Sequence, residues 1–275
     1  MGENFMFKIS QNDFEKLVKF VHKNYGIDLS KKIQLIESRL TSTIKSMGYK
    51  DFSSYVKYIT STNNKSDIES MLNKLTTNYT YFMREKVHFE YFTNTILPYL
   101  ISTKKNKVLS IWSAGCSSGE EPYTLTMLIK DYLGSQAKLW DTRILATDIS
   151  QKALATATKG EYQIDSLKDV PIHWKKEYFD LLDNSKVSVK PHIKDNVIFR
   201  TFNLMEPINF KLPFDVIFCR NVMIYFDQNT KDALVQRFYN ATNPGGYLLI
   251  GHSESVNRNI IPYQYIMPAT YRKSL

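Results

Sequence analysis

The sequence predicts an α/β fold with a parallel sheet, preceded by an all-helical segment, in a chain of 275 residues. From residue 108 onward, short apolar runs alternate with helical patterns, which is typical of strands joined by crossover helices. In residues 10–75 the apolar side chains recur only at helical spacing. Several of the later apolar runs end in a polar residue, so a ligand site is expected along the carboxyl ends of the strands.

The helical segment contains a basic helix, predicted over residues 30–47. Its apolar stripe includes Ile36 and Leu40, and Gly26 and Gly48 separate it from its neighbours. Three basic side chains lie beside that stripe, namely Lys32, Arg39 and Lys45. A solvated helix face is the commoner explanation, and a docking surface for an acidic helix is the alternative.

The central motif of the chain is the sequence VLSIWSAGCSSGEEPY, residues 108–123. Val108–Trp112 predicts a buried strand, and the small residues that follow predict a tight turn. A helix is predicted over Glu120–Leu133, with Pro122 in its first turn. Strand, small-residue loop and helix form the layout of a nucleotide-type cofactor site. The Glu120-Glu121 pair would repel a pyrophosphate, so a ligand with positive charge fits better, such as one with an ammonium and a sulfonium.

Further strands are predicted over 143–148, 197–202, 214–219 and 247–251, and the tail 263–273 is expected to add an antiparallel pair. Asp148 ends the second strand, where an acid typically accepts hydrogen bonds from ribose hydroxyls. A simple helix-capping role is the alternative for Asp148. The polar residues expected to converge at the strand ends are Glu120, Asp148, Asn203, Arg220 and Asn221.

Residues 160–195 are less regular and predict an insertion rather than a layer of the main sheet. Within it, Val187–Val189 and His192-Ile193 are expected to form a small hairpin. The segment before the α/β part, residues 76–90, contains Arg84 one helical turn after Thr80. Taken alone, Arg84 most simply forms a surface ion pair with Glu85 or Glu90.

Composition limits the function classes. The formal net charge is +9, which suggests an acidic partner such as nucleic acid, a membrane surface or an acidic protein, although a merely basic protein is also possible. Two cysteines and no metal-ligand cluster predict a reducing cytoplasmic setting with no metal. The sequence contains no signal-peptide pattern and no apolar stretch long enough to insert in a membrane.

Several motifs together resemble the CheR-type chemoreceptor glutamate O-methyltransferases. They are ESRL at 37–40, TTNYTYFMRE at 76–85, SAGCSSGEEPY at 113–123, ATDIS at 146–150, FDVIFCRNVMIYFD at 214–227, PGGYLLIGHSES at 244–255 and ATYRK at 269–273. The resemblance covers nearly the whole chain. It implies an all-helical N-terminal domain followed by a Rossmann-like class I methyltransferase domain with a small inserted β-subdomain.

The resemblance also implies domain boundaries and a reaction. Residues 1–75 would be a receptor-docking domain, 76–92 a linker that contacts the cofactor, and 93–275 the methyltransferase domain, with the β-subdomain at 160–196. The cofactor would be S-adenosylmethionine, with S-adenosylhomocysteine as the product. The substrate would be glutamate side chains in the acidic helical methylation region of a methyl-accepting chemotaxis receptor, with no nucleic acid partner and no membrane insertion.

Residue roles follow from the same resemblance. The linker would contact the cofactor through Asn78, Thr80 and Arg84, while Glu120 would hold its methionine part and Asp148 its ribose. The adenine and methionine side would be lined by Asn203, Leu204, Arg220 and Asn221. Arg84 and Tyr225 would be the catalytic residues at the methyl-transfer mouth.

The basic helix gains a specific use from the resemblance, because Lys32, Arg39 and Lys45 would steer the acidic receptor helix electrostatically. Two alternatives remain open. One is a methyltransferase for RNA or a small molecule, although the sequence lacks the aromatic-basic interleaving of known RNA modules. The other is a non-catalytic sensor that binds S-adenosylmethionine.

Overall fold

The computed structural model describes residues 7–275. The chain forms two compact units. The first runs to Asn78 and includes Tyr225–Thr230, and the second comprises Tyr79–Ile224 and Lys231–Leu275. Within residues 7–275, no helix is both long and apolar enough to cross a membrane.

The first unit is built from α1 (Gln11–Tyr25), α2 (Ile33–Ser46), α3 (Phe52–Ile59) and α4 (Lys65–Leu75). Ser10 caps the start of α1 by accepting a hydrogen bond from the Asp13 N–H, and Gly26 ends the helix in a left-handed conformation. The apolar stripes of these helices are buried against one another, with Leu17 and Leu40 fully shielded from solvent. The apolar side chains that recur at helical spacing in the sequence therefore form a packed helical core, as predicted.

A short segment from late in the chain belongs to this first unit. Phe226 forms an antiparallel bridge with Ile27, and the Asp28 N–H donates to the Tyr225 carbonyl at 2.7 Å. The His22 ring and the Asp227 carboxylate are hydrogen-bonded next to that bridge. The helical unit therefore holds the segment that contains Tyr225 through both main-chain and side-chain contacts.

The second unit begins with a long helical stretch that runs through α5 (Lys86–Tyr91), a π-helical turn (Phe92–Ile96) and α6 (Leu97–Thr103). Its further helices are α7 (Glu120–Leu133), α8 (Gln151–Lys159), α9 (Ile172–Glu177), α10 (Pro191–Lys194) and α11 (Gln228–Ala241). Its 3-10 turns are Gly134–Leu139 and Ile164–Leu167. A further 3-10 turn, Met223–Tyr225, ends in the first unit and α11 begins there, since Tyr225–Thr230 belong to that unit.

The strands of the second unit form two sheets. They are β1 (Ile111–Ala114), β2 (Ile144–Asp148), β3 (Glu161–Gln163), β4 (Phe179–Leu181), β5 (Lys186–Val189), β6 (Val197–Thr201), β7 (Phe214–Cys219), β8 (Thr242–Ile250), β9 (Gln264–Met267) and β10 (Thr270–Arg272). Among residues 7–275, the main sheet has seven strands in the order β6-β2-β1-β7-β8-β10-β9. The first five in that order run parallel, and β10 and β9 pair antiparallel at one edge.

The core of the main sheet is centred on Trp112 of β1, which is fully buried. Its ring packs edge-on against Phe202 and Phe238, and its indole N–H donates to the Thr147 hydroxyl at 2.9 Å. Every residue of β7 is buried. Burial on both faces explains why these central strands are continuous apolar runs rather than alternating ones.

The predicted fold class is confirmed, including the parallel sheet and the antiparallel pair in the tail. The helix predicted over Glu120–Leu133 and the strand over 214–219 have the expected bounds. The predicted hairpin in the insertion was wrong. The small sheet there has the order β3-β5-β4, and His192-Ile193 lie in α10 because Pro191 starts a helical turn at that point.

Candidate functional site

Five loops of the second unit lie at the carboxyl end of the parallel sheet. They follow β6, β2, β1, β7 and β8, which are neighbours in the sheet in that order. The strand order runs outward from β1 to β2 and β6 on one side and to β7 and β8 on the other, so the direction of winding reverses between β1 and β7. A crevice forms at such a switch point and is the usual ligand site of a doubly wound sheet.

The loop after β1 depends on Gly119, which has φ +96°. A Cβ atom there would lie 2.8 Å from the Ala157 Cβ, so only glycine lets the loop approach α8 this closely. Cys116 in the same loop is buried, and burial raises the pKa of its thiol, which keeps it in the less reactive neutral form.

The two glutamates at the start of α7 have different surroundings. Glu120 is buried, accepts a hydrogen bond from the Ser118 hydroxyl at 2.7 Å, and has a pKa raised by burial. Glu121 accepts from the Ser113 hydroxyl at 2.7 Å and pairs with the Arg220 guanidinium at 3.0 Å. The charge of Glu121 is therefore balanced within the protein, and Glu120 is the stronger candidate for a cationic ligand.

Asp148 connects the loops after β1 and β2. One carboxylate oxygen accepts from the Ser117 N–H at 2.8 Å and the other from the Ser150 N–H at 2.9 Å. Ser150 itself caps α8 by accepting from the Ala153 N–H. Asp148 is thus held at the carboxyl edge beside the turn that contains Gly119, where the sequence predicted an acid.

The loop after β6 contains Asn203 and Leu204. The Asn203 side chain accepts from the Met205 N–H at 3.0 Å, which folds the loop into a tight turn. Leu204 is buried, and its carbonyl accepts from the Arg237 guanidinium at 2.6 Å. Both residues follow the end of a strand at the same sheet edge as Asp148, as predicted.

Arg220 lies at the end of β7 in a network of protein contacts, with a side chain only 2% exposed. Its guanidinium pairs with Glu85 at 3.2 Å and with Glu121 at 3.0 Å, donates to the Arg84 carbonyl, and lies over the Phe89 ring. Arg220 therefore joins the turn at Arg84 and Glu85 to α7. Its predicted contact with the cofactor remains a prediction.

Asn221 follows Arg220 in a left-handed conformation with φ +59°. Its side-chain N–H donates to Glu85 at 3.1 Å, and its backbone N–H donates to the buried Glu254 carboxylate at 3.1 Å. Glu254 also accepts from the N–H groups of Gly251 and Ile224, so it organises the loops after β7 and β8.

The linker residues lie in an unusual stretch of backbone. Met83 and Glu85, on either side of Arg84, both have positive φ, at +65° and +54°. Arg84 is half-buried, donates to the Tyr79 carbonyl at 2.5 Å, and has its guanidinium 5.9 Å from the Tyr79 ring centre. The ion pair that the sequence suggested for Arg84 was wrong, since Glu85 pairs with Arg220 and Glu90 pairs with Lys86.

The other predicted linker contacts are Asn78 and Thr80. Asn78 is exposed and donates to the Asn73 side chain at 3.2 Å within the first unit. Thr80 is half-buried and begins the stretch that leads to Arg84 in the second unit. Their predicted contacts with the cofactor remain predictions.

Tyr225 is positioned by the first unit. Its hydroxyl donates to the Thr77 carbonyl at 2.9 Å and accepts from the Thr77 N–H at 3.1 Å. Both hydrogen-bonding functions of the phenol are therefore used by the main chain of one residue. Its catalytic role remains a prediction.

The basic residues of α2 differ in exposure. Lys32 and Lys45 are exposed, whereas Arg39 is half-buried, and the Lys45 ammonium lies 5.2 Å from the centre of the Phe7 ring. The Arg39 guanidinium donates to the carbonyls of Lys74 and Thr76, each at 3.1 Å, at the end of α4. Arg39 thus has a structural role within the helical unit in addition to its predicted docking role.

Sequence reasoning missed the residues that hold these loops together. The missed residues are Glu85, His88, His252 and Glu254. Three of them lie inside sequence motifs that could have pointed to them: Glu85 in TTNYTYFMRE, and His252 and Glu254 in PGGYLLIGHSES. Their mutual contacts come from separate parts of the chain, so spacing alone did not predict them.

Two family models match almost the entire chain. The model described as "CheR methyltransferase, all-alpha domain" matches residues 12–76, and "CheR methyltransferase, SAM binding domain" matches residues 78–271. The chain belongs to the CheR methyltransferase family. The predicted order of an all-helical domain and a Rossmann-like methyltransferase domain is confirmed, and S-adenosylmethionine is the cofactor of this family member.

Relatives of this family member cover nearly its full length. The "Chemotaxis protein methyltransferase" of Borreliella burgdorferi is 43% identical over 278 residues, covering 98% of this chain and 97% of the relative. The Escherichia coli protein of the same description is 32% identical, covering 90% and 85% respectively. A solved magnesium protoporphyrin IX methyltransferase from Synechocystis has 14% identity over 69% of this chain and 76% of its own, with a TM-score of 0.34.

The residues at the sheet edge fit this cofactor. Among residues 7–275, the side-chain oxygen of Asn221 has no hydrogen-bond partner although it is shielded from solvent. A buried acceptor of this kind is costly unless a donor reaches it. Together with the carboxylates of Glu120 and Asp148, it provides acceptors for a ligand that carries an ammonium group and ribose hydroxyls.

Proposed function

We propose that this methyltransferase transfers a methyl group from S-adenosylmethionine to glutamate side chains of a chemotaxis receptor, forming methyl esters. The observation that carries the proposal is the buried acceptor set at the switch point, with the carboxylate of Glu120 and the unpartnered oxygen of Asn221. Buried acceptors favour a cationic ligand rich in donors over a phosphate. The relatives named as chemotaxis methyltransferases supply the pathway.

The reaction requires little proton transfer by the protein. S-adenosylmethionine, when bound, supplies a methyl group on a cationic sulfur. A glutamate side chain in water has a pKa of about 4.3, so the acceptor is already ionised at neutral pH and needs no general base. The residues of the chain would instead align the acceptor and exclude water, and such positioning can supply on the order of 7–11 kcal/mol.

Arg84 and Tyr225 are the residues proposed to align the acceptor. A guanidinium forms paired hydrogen bonds with a carboxylate, which suits Arg84 to hold the attacking glutamate. The Tyr225 phenol would donate to the acceptor by exchanging its hydrogen bond to the Thr77 carbonyl for one to the acceptor carboxylate. The cofactor would be held by Asn78, Thr80, Glu120 and Asp148, and by the loops that contain Asn203, Leu204, Arg220 and Asn221.

Docking would use the helical domain proposed for residues 1–75, and the segment 76–92 would link it to the methyltransferase domain at 93–275. Receptor methylation segments are acidic helices, and Lys32 and Lys45 give α2 a complementary charge. Arg39 would contribute from the same helix. The insertion at 160–196 would remain a subdomain of the catalytic part, and the setting would be the cytoplasm.

The test is a methyl-transfer assay with labelled S-adenosylmethionine and a receptor cytoplasmic fragment. Label that is incorporated into the fragment and then released by mild base as volatile methanol would support a glutamate methyl ester. Replacing the acceptor glutamates of the fragment by alanine should abolish labelling. Label on RNA instead, or cofactor binding without any transfer, would overturn the proposal and indicate a different methyltransferase or a sensor.

A further inference from the structure

The turn that contains Arg84 is held by a buried carboxylate that does not itself belong to the predicted site. Glu85 follows Arg84 directly, and its side chain is 13% exposed. One carboxylate oxygen faces the Arg220 guanidinium, at 3.3 Å from Nε and 3.2 Å from Nη2. The other accepts from the Asn221 side chain at 3.1 Å and from the His252 N–H at 3.3 Å.

These contacts tie the linker to two strand-end loops. Arg220 and Asn221 follow β7, and His252 follows β8. Because Arg220 also donates to the Arg84 carbonyl, the backbone of the turn is held at the Arg84–Glu85 peptide as well as through the Glu85 side chain. A single carboxylate thereby connects Arg84 to the loops at the cofactor edge of the sheet.

The backbone of this turn is strained. Met83 and Glu85 both have left-handed φ values, at +65° and +54°, and neither is glycine, asparagine or aspartate. Such conformations persist where the surrounding contacts over-determine them, and they concentrate at functional sites. The ion pair between Glu85 and Arg220 is the contact that can supply that constraint, because both side chains are removed from solvent.

We propose that Glu85 is a positioning residue: its carboxylate, locked by Arg220 and Asn221, fixes the turn at residues 83–85 and so sets where the Arg84 guanidinium lies. The inference rests on the proposed function, in which Arg84 contacts cofactor and acceptor. The inference goes beyond that function because it names Glu85 as the residue through which the strand-end loops fix the position of Arg84.

A metal site is the competing use of the same side chains. The ligand atoms of Glu85, His88 and His252 all lie within 4.8 Å of one another, and His88 is fully buried with its Nδ1 3.4 Å from Glu85. However, Arg220 lies 3.2 Å from the same Glu85 oxygen and places a full positive charge beside any bound cation. The existing ion pair of the carboxylate favours the positioning role.

The test is a double-mutant cycle between Glu85→Gln and Arg84→Lys in the full-length chain. It is measured on receptor methylation and, separately, on the Kd for S-adenosylhomocysteine by calorimetry. In the otherwise natural chain, Glu85→Gln should lower kcat on the order of a hundredfold and weaken S-adenosylhomocysteine binding on the order of tenfold. On the Arg84→Lys background both losses should largely disappear, because Glu85 acts through Arg84. Equal losses on both backgrounds, or no loss on either, would overturn the proposal.

Glu90→Gln is the matched control, since Glu90 lies in α5, which begins directly after Glu85, and pairs with Lys86 on the surface. It should leave both readouts unchanged, and circular dichroism should show that each variant is folded at the assay temperature. If the natural chain binds S-adenosylhomocysteine but labels no receptor, the proposed substrate fails while the binding cycle still tests Glu85. One equivalent of zinc in the purified protein, lost together with activity in EDTA, would overturn the positioning role in favour of a metal site.

Discussion

The Tyr225 hydroxyl and the Thr77 main chain form a reciprocal pair, with the phenol donating to the carbonyl at 2.9 Å and accepting from the N–H at 3.1 Å. These residues are 148 positions apart in the chain. The consequence is that the end of the helical segment sets the position of a residue that belongs to the RNVMIYF motif. The phenol proton is thus donated to the Thr77 carbonyl, and that hydrogen bond must open before the phenol can donate to a carboxylate.

Tyr225→Phe should lower kcat about tenfold, since it removes hydrogen bonds worth about 1 kcal/mol each while keeping the ring. Steady-state methylation of a receptor fragment measures the effect. Tyr265→Phe is the control, because Tyr265 is exposed on the edge strand β9 and should have normal activity. An unchanged kcat for Tyr225→Phe would remove the phenol from the mechanism.

Arg84→Ala should leave the fold intact and lower turnover on the order of a hundredfold, because the side chain is half-buried and contacts mainly Tyr79. Thermal unfolding and methylation rates, measured on the same preparation, separate the two effects. Arg143→Ala removes a surface arginine, paired with Asp141, and should match the natural chain in both. A normal methylation rate in Arg84→Ala would contradict the assigned role.

Charge reversal of the basic residues in and beside α2 should distinguish a role in receptor docking from a role in stability. Lys32→Glu combined with Lys45→Glu should raise the KM for receptor, more so at low salt, with little change in kcat, because both side chains are exposed and their charge would act on receptor binding. Arg39→Glu should in addition lower stability, since its guanidinium makes that contact. Rates at several receptor and salt concentrations, with a melting curve for each variant, test this. An unaltered KM in the double variant would exclude these lysines from docking.

The stability contributed by Glu85 should depend on pH. Burial alone would raise the pKa of Glu85, but the neighbouring His88 ring and the Arg220 guanidinium outweigh it and hold the pKa well below its ordinary value. A carboxyl with a lowered pKa stabilises the fold above its unfolded pKa of about 4.3, and the effect is lost as pH falls toward the folded pKa. Glu85→Gln should therefore be about 2 kcal/mol less stable than the natural chain at neutral pH.

That difference should shrink steadily below about pH 4.3. Urea unfolding of both proteins between neutral and acidic pH measures it. A constant difference over the whole range would mean that the ionised carboxylate contributes nothing to the fold.

Gly119→Ala should weaken S-adenosylmethionine binding and lower stability by about 2 kcal/mol or more, because the new Cβ meets Ala157 at 2.8 Å in a left-handed backbone. Gly134→Ala is the matched control, with positive φ but no atom within 4 Å of the added Cβ. Gly134→Ala introduces the strain of a positive φ without the steric clash expected in Gly119→Ala, and Gly134 lies at the opposite end of α7. Equal binding by Gly119→Ala and the natural chain would show that the loop tolerates displacement.

The sequence by itself determined the layers of the fold and the edge of the sheet at which a ligand site is expected. Apolar runs such as Phe214–Cys219 are buried on both faces and are typical of central strands, and a residue that follows such a strand must lie at its carboxyl end. This local rule placed Glu120, Asp148, Asn203 and Arg220 correctly at one edge. Periodicity also identified the helical segment, because helix packing requires an apolar stripe.

Tertiary structure decided which charges are paired. Glu85 meets Arg220 across 135 positions of the chain, and Glu254 meets Asn221 across 33, so neither contact has a signature in local spacing. Without the resemblance, the sequence suggested a surface ion pair of Arg84 with Glu85 or Glu90 and left Glu121 for a cationic ligand, because only neighbours along the chain could be considered as partners. Electrostatic pairing depends on distance in space, and only the folded backbone brings these distant groups within hydrogen-bonding range.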